Sequence, residues 1–330
     1  MDIAVIGLGL IGGSLTRALA ARGHRVLAYD IDPATRATAR TAAARAPAGA
    51  RWQVTSSLRD AAAGSEVTVL AVPLPALASV LDELADSLYT GLVTDVTSVK
   101  GPVRDLVAAR LRGPHARAAG FVGGHPMAGR ERSGFAAADP ELFTGAAWVL
   151  CLEPDTSLAD WLELAALVTS LGARVVPTTA DEHDRAVAAI SHVPHLLASA
   201  LAAAAADSPL ALTLGAGSFA DGTRVAATAP NLVAAMCGGN AEAVRAALDT
   251  VVAALGSARA ALDEPDPIRA LVPWLAAGHA VRSGWPPAPS PPVELPARPD
   301  TLLRLGRVGG WVTAVAPDRR TVTAARPVPA

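Results

Sequence analysis

Short apolar runs alternate along the first half of the chain with longer segments whose apolar positions recur every three or four residues. Ile3 to Ile6 is one such run, ending at a glycine, and Arg25 to Tyr29, Val67 to Val72 and Leu92 to Val96 repeat the pattern. Phe121 to Gly124, Ala147 to Leu152 and Ala173 to Pro177 complete the series. Apolar runs of this kind, bounded by Gly, Pro or Asp, predict strands buried on both faces. Between them, Pro75 to Leu88 and Leu158 to Leu171 carry helical spacing, as does the stretch through Leu15, Leu19 and Ala20. Strand alternating with helix predicts an α/β, Rossmann-like, doubly wound and mostly parallel sheet.

After Thr179 the strands stop. His183 to Ala206, Asn231 to Leu255 and Asp266 to Arg282 read as Ala- and Leu-rich helices, and Gly238-Gly239-Asn240 interrupts the middle one with a turn signal. Trp285 to Pro299 is a proline-rich, extended linker. A small hairpin turned at Pro317-Asp318 closes the chain. The expected division is a Rossmann-like domain at 1–179, an all-helical domain at 180–283, and linker plus hairpin at 284–330.

Composition narrows the classes. A length of 330 residues suits about two domains, and 51% hydrophobic content is ample for buried cores. The net charge of −2 supplies no basic field, so neither nucleic acid nor a membrane surface is expected as partner. Cys151 and Cys237 form no CxxC pair, which argues against a disulfide framework and fits a reducing cytoplasm. The longest apolar run, near Leu196 to Ala206, is about half of what a membrane span needs. No signal segment precedes the first strand, so a cytoplasmic location is expected. Arginine supplies all the basic residues but one, and the exception is Lys100.

Gly7-Leu8-Gly9-Leu10-Ile11-Gly12 is GxGxxG set directly after a strand and opening a helix. Gly7 permits the tight turn, Gly9 lets backbone approach a pyrophosphate, and Gly12 allows close helix–strand packing; the amides around Leu10 and Ile11 then face the anion. Asp30 ends the second strand, where a carboxylate can bond ribose hydroxyls and repel a 2′-phosphate. The expected cofactor is therefore NAD rather than NADP, although Arg36 stands near enough to matter.

Four further clusters bear on chemistry. Asp95 to Lys100 (DVTSVK) overlaps the end of a strand, and His125-Pro126-Met127-Ala128-Gly129 follows another at the same edge. Ser191-His192-Val193-Pro194-His195 lies in a helical run, and Phe219 to Arg224 (FADGTR) lies further along the helical half. With the glycine turn and His183-Asp184, these strings make the sequence resemble the prephenate dehydrogenase (TyrA) family. That family carries GLGLIGGS, SVK, HPMAG-x-E-x-SG, HD, SHxPH and FRDxTR in this order. Five are intact here, and the sixth has Ala220 in place of a basic residue.

The resemblance implies a Rossmann-like domain followed by a helical domain that forms a homodimer. It implies NAD-dependent oxidative decarboxylation of prephenate to 4-hydroxyphenylpyruvate in tyrosine biosynthesis. His125 matches the catalytic histidine and Ser98 the serine that orients it. Arg224 matches the arginine that grips a substrate carboxylate, a task suited to a guanidinium fork. His195 matches a residue at the substrate side-chain end, and His192, His183 and Glu131 are supporting members. A neutral imidazole suits the base, so one ionisation in the ordinary histidine range is expected in the pH profile. His192 and His195 share a helical face but lack a third ligand, so no metal is expected. His24, His115 and His279 read as structural or surface residues.

The lost basic residue at Ala220 keeps arogenate and 4-amino-4-deoxyprephenate open as alternative substrates. A non-catalytic NAD-binding paralogue is the alternative of a different class. The stretch after Gly284 is too short for the ACT regulatory domain of many relatives, so feedback by that route is not expected.

Overall fold

The computed structural model describes residues 1–111, 120–130 and 132–328. The first sheet contains β1 (Asp2–Ile6), β2 (Arg25–Tyr29), β3 (Gln53–Val54), β4 (Val67–Leu70), β5 (Leu92–Asp95) and β6 (Phe121–Val122). All are parallel, in the order β3-β2-β1-β4-β5-β6. Helices α1 (Leu10–Ala21), α2 (Pro33–Arg45), α3 (Leu58–Ala62), α4 (Leu77–Asp86) and α5 (Gly101–Leu111) connect its strands. Along β1, Ile3 and Val5 enter one buried cluster while Ala4 and Ile6 enter another. Both faces are thus covered, which is why these strands read as continuous apolar runs.

The doubly wound sheet expected from sequence is present, but it ends at Val122. A second sheet holds β7 (Gly124–Pro126), β8 (Ala147–Cys151), β9 (Arg174–Thr178), β10 (Val293–Pro296), β11 (Trp311–Val315) and β12 (Thr321–Ala325), ordered β10-β12-β11-β9-β8-β7. Phe121 to Gly124, read from sequence as one strand, divides at Gly123 between the two sheets. Only β8 and β9 pair in parallel here; β7 runs antiparallel to β8. Helix α6 (Leu158–Ser170) buries Trp161 completely beneath this layer.

The helical half begins with α7 (Ala180–Val187), capped by a reciprocal pair between Thr179 and Glu182. A π-turn over Ala188–His192 joins it to α8 (Val193–Ala204). Pro194 causes the turn: it has no N–H to donate, and its ring crowds the carbonyl of residue 190, so the ladder widens by one residue. The united run, Ala180–Ala204, is long and apolar enough by length and composition to cross a membrane, more than the apolar run seen in sequence. Its first turns carry His183 and Asp184, both buried against other parts of the chain.

Then follow α9 (Pro209–Thr213), α10 (Gly217–Thr223), α11 (Pro230–Gly239), α12 (Ala241–Leu262) and α13 (Pro267–Ser283). The expected glycine turn is there: α11 ends at Gly239, and Asn240 separates it from α12. Few side chains of this half are buried, and Leu201, Leu255, Ile268, Val272 and Leu275 stand open.

The C-terminal stretch departs from the expectation of a linker and a separate hairpin. Part of the proline-rich segment forms β10, and α14 (Pro299–Arg307) follows it. The hairpin β11–β12 turns where expected but pairs through Val312 with Val175 of β9, so it extends the second sheet. Arg319 donates to Leu162 O and meets Glu163 of α6, fastening the hairpin down.

Candidate active site

The two ends of the site meet at the C-terminal edge of the first sheet, the usual ligand edge of open α/β sheets. At one end, Gly7 has φ +99°, and a Cβ there would lie 2.3 Å from Ala71 O. A Cβ on Gly12 would lie 2.0 Å from Gly7 O, so helix and turn approach more closely than any side chain permits. Gly9 is different: nothing lies within 4 Å of where its Cβ would be. It is the N-cap of α1 without a side-chain cap, so the first amides, around Leu10 and Ile11, are left for an anion. Asp30 accepts from Leu8 N at 2.7 Å and Asp32 N at 2.9 Å, which pins its carboxylate beside the turn. Arg36 is committed to the carbonyls of Asp30 and Ile31, at 2.6 and 3.0 Å.

At the other end, β7 carries half-buried His125. Its Nδ1 lies 2.8 Å from Nε2 of His183, whose own Nδ1 lies 2.7 Å from Asp184 Oδ1. Asp184 also accepts from Lys100 N and Gly101 N, both at 2.8 Å. Burial opposes this carboxylate's charge, but the hydrogen bonds from His183 and the two amides outweigh it and hold Asp184 below the usual range. An ionised Asp184 can only accept, so His183 Nδ1 donates to it. Burial keeps His183 below its ordinary value despite that carboxylate, so its Nε2 is an acceptor. His125 Nδ1 must then donate, which leaves the lone pair of His125 Nε2 to accept. Burial, and then the charges of His183, Lys100 and His192, hold His125 well below the ordinary histidine value.

His192 is fully buried, and its Nδ1 accepts from Asn240 Nδ2 at 3.2 Å. The same amide donates to Asp184 O at 2.7 Å, so Asn240 ties the π-turn to α7. The accepting Nδ1 assigns the proton to Nε2, which has no partner among the described residues. Burial pushes the His192 pKa down to about 4, against the pull of Asp184.

Ser98 and His195 line a cavity of about 350 Å³ between the glycine turn and the helical half, with Ile11, Val72 and Leu232 among its walls. His195 Nδ1 is anchored on Ser191 O at 2.8 Å. Arg224 opens a short 3₁₀ turn after α10 and stands exposed in the single chain; Thr228, just beyond that turn, lines the same cavity. Glu131 and His115 lie outside the described residues. No group of three or more potential metal ligands occurs among the described residues.

Sequence reasoning gave no role to Asp95, Thr97 or Asn240, and none to Asp184 beyond its place in a motif. Their signal is only that each is a polar residue beside a recognised string. Asp184 and Asn240 find their partners far off in the chain, and Asp95 reaches Gly124, whereas Thr97 bonds Asp95, Val99 and Lys100 close by.

Residues 15–177 match the nucleotide-binding domain of prephenate dehydrogenase, and residues 179–276 match the dimerization domain of prephenate dehydrogenase. The prephenate dehydrogenase of Bacillus subtilis is 33% identical over 236 residues, 69% of this chain and 61% of that protein. The chain thus spans about 60% of the length of the first curated relatives it matches. A cyclohexadienyl dehydrogenase of Zymomonas mobilis is 32% identical over 273 residues, 80% of this chain and 89% of that one. The solved prephenate dehydrogenase of Aquifex aeolicus, in complex with hydroxyphenyl propionate and NAD+, has a TM-score of 0.73 at 26% identity, covering 85% of this chain and 96% of its own.

Proposed function

Because this chain belongs to the prephenate dehydrogenase family, we propose that it performs NAD-dependent oxidative decarboxylation of prephenate to 4-hydroxyphenylpyruvate, for tyrosine synthesis. The observation that carries this reading is the relay Asp184–His183–His125, which engages His125 Nδ1 and leaves Nε2 to accept. It stands at the same sheet edge as a glycine turn fitted for a dinucleotide.

The fit to NAD rests on three features: the open space at Gly9, the uncapped amides of α1, and the anchored Asp30 carboxylate. Each Asp30 oxygen has a second lone pair for a ribose hydroxyl. Arg36 is already engaged by two carbonyls, which favours NAD over NADP. When bound, the nicotinamide supplies the hydride acceptor.

The chain's own residues meet the other demands. His125 Nε2 takes the proton of the ring 4-hydroxyl as carbon 4 becomes a carbonyl in character. The imidazolium so formed is stabilised through His183 by Asp184, which also fixes the tautomer. Ser98 orients the hydroxyl, and Arg224 grips a carboxylate bidentately. His195 and His192 serve the side-chain end, the latter through its unpartnered Nε2–H, with Glu131 as a supporting residue. Loss of the ring carboxylate as carbon dioxide leaves its bonding pair in the ring, the imidazolium returns its proton to the phenolate oxygen, and aromatisation makes the step irreversible.

Purified protein with prephenate and NAD should generate NADH absorbance. No turnover with either nicotinamide cofactor would overturn the reading. One observation favours a second substrate: Ala220, exposed on α10, replaces the family's basic residue. Comparing kcat/KM for prephenate, arogenate and 4-amino-4-deoxyprephenate decides among them. Cofactor binding without turnover on all three would support the non-catalytic paralogue. The open leucines and valines of the helical half, in a region matching a dimerization domain, support a homodimer. Two free cysteines fit a cytoplasmic setting.

A further inference from the structure

We infer that Lys100, paired with Asp95, is the positioning residue for the base, holding His125 by two independent routes from the seam between the sheets. The inference rests on the reading of His125 as that base.

The first route is through the side chains. Lys100 and Asp95 are 1% and 0% exposed. Lys100 Nζ donates to Asp95 Oδ2, to Gly124 O at 2.6 Å and to Thr97 Oγ1 at 3.2 Å. Asp95 Oδ1 accepts from Gly124 N at 3.1 Å. The pair therefore grips both backbone polar groups of Gly124, the residue directly before His125. A Cβ on Gly124 would lie 2.6 Å from Asp95 O, so the two strands close to a distance only glycine allows.

The second route is through the backbone. The amides of Lys100 and Gly101 hold the two oxygens of Asp184, which orients His183 and, through it, His125 Nδ1. Lys100, with the neighbouring amide of Gly101, thus sets both the backbone under the imidazole and the tautomer of its ring.

The chemistry also explains why lysine persists in a chain that otherwise uses arginine. An ammonium has three donors and finds three acceptors here. A guanidinium has five, so two would be left buried and unmet. A buried ion pair adds little net stability over apolar residues of the same shape, which leaves placement as its use. The charged and titratable groups around His125 are His183 from α7, His192 from the π-turn and Lys100 from the start of α5, with Asp184 and Asp95 behind them. Lys100 is the fixed cation among them.

Two variants test this in the intact protein: Lys100→Met, and the neutral pair Asp95→Asn with Lys100→Gln, which retains amide donors at the seam. NAD affinity, prephenate KM, kcat and the pH profile are measured for both. Expected is a fall in kcat of about 10²-fold for Lys100→Met and about tenfold for the neutral pair, as befits a displaced base, with KM and NAD affinity held. The acid limb should move to higher pH in both, because the nearby cation is gone. A folded neutral pair with full kcat and an unmoved limb overturns the inference. So does loss of fold in the neutral pair, which would make Lys100 and Asp95 structural. His125→Asn, run in parallel, separates the failures: if it keeps full kcat, the reading of the base is wrong whatever Lys100 does.

Discussion

At the scale of single residues, the motif strings pointed to His125, Ser98, His195 and Arg224, because their spacing along the chain is itself the signal. Of the groups behind His125, the His183-Asp184 string was legible, but the contacts that hold it were not. Lys100 N and Asp184 are 84 residues apart, and Asn240 and Asp184 are 56 apart, so only the fold joins them. The ordinary histidine ionisation expected from sequence is also corrected, since burial and three neighbouring cations or potential cations depress His125. Replacing His125 with Asn keeps polarity and removes the acceptor. Steady-state kinetics should show kcat reduced by roughly two to four orders of magnitude with KM little changed. In the wild type, activity should persist below the usual histidine pKa and fall only as pH drops through the depressed value; that limb should vanish in the variant. Arg224→Ala should instead raise KM, at a cost of a few kcal/mol, because a substrate carboxylate loses its charged partner. A variant whose loss falls entirely on kcat would remove Arg224 from substrate binding.

At the scale of elements, periodicity located the strands but not the sheet each one joins. The apolar run at Phe121 to Gly124 carries no mark of the break at Gly123, which is set by Asp95 and Lys100 seizing Gly124 from outside the run. The hairpin at the C-terminus was visible in its alternation and turn residues. Its partner was not, because β9 lies far back in the chain and only tertiary packing brings the two together. Helix α14 tests how tightly that return is fitted. A Cβ on Gly306 would sit 1.7 Å from Pro177 O in β9, a backbone atom with no means of moving aside. Alanine in a helix interior is favoured over glycine by about 1 kcal/mol, but overpacking of this severity costs about 3 kcal/mol and wins. Gly306→Ala should therefore lower stability in urea or on heating. An unchanged or raised midpoint would show that α14 does not pack on β9 so closely.

At the scale of the whole molecule, the two halves differ in what they leave open. The α/β half closes its clusters on both faces of its sheet, whereas helices α8 to α13 expose Leu255, Ile268, Val272 and Leu275. Light scattering at micromolar concentration should give twice the 33.3 kDa chain mass, and Leu255→Asp with Leu275→Asp should give monomers. Because association then contributes to stability, pH titrations must hold protein concentration fixed. Their outcome follows from the buried histidines. Unfolded, each takes a proton near the ordinary value of 6.5; folded, His192 takes one only near 4. Between those values the unfolded state binds more protons, so stability is fully present above 6.5 and is lost as pH falls toward 4. His192 is fully buried, and its share is on the order of a few kcal/mol. His125 and His183 act in the same direction. Carboxylates such as Asp184 also weaken the fold in acid, but only below their ordinary unfolded values, so the upper part of the window belongs to the histidines. Denaturant unfolding between pH 7 and 5 should therefore show a steep decline that His192→Asn blunts. A flat profile across that interval would mean that these imidazoles take up protons as readily in the folded state as in the unfolded, and the tautomer chain that frees His125 Nε2 would fall with it.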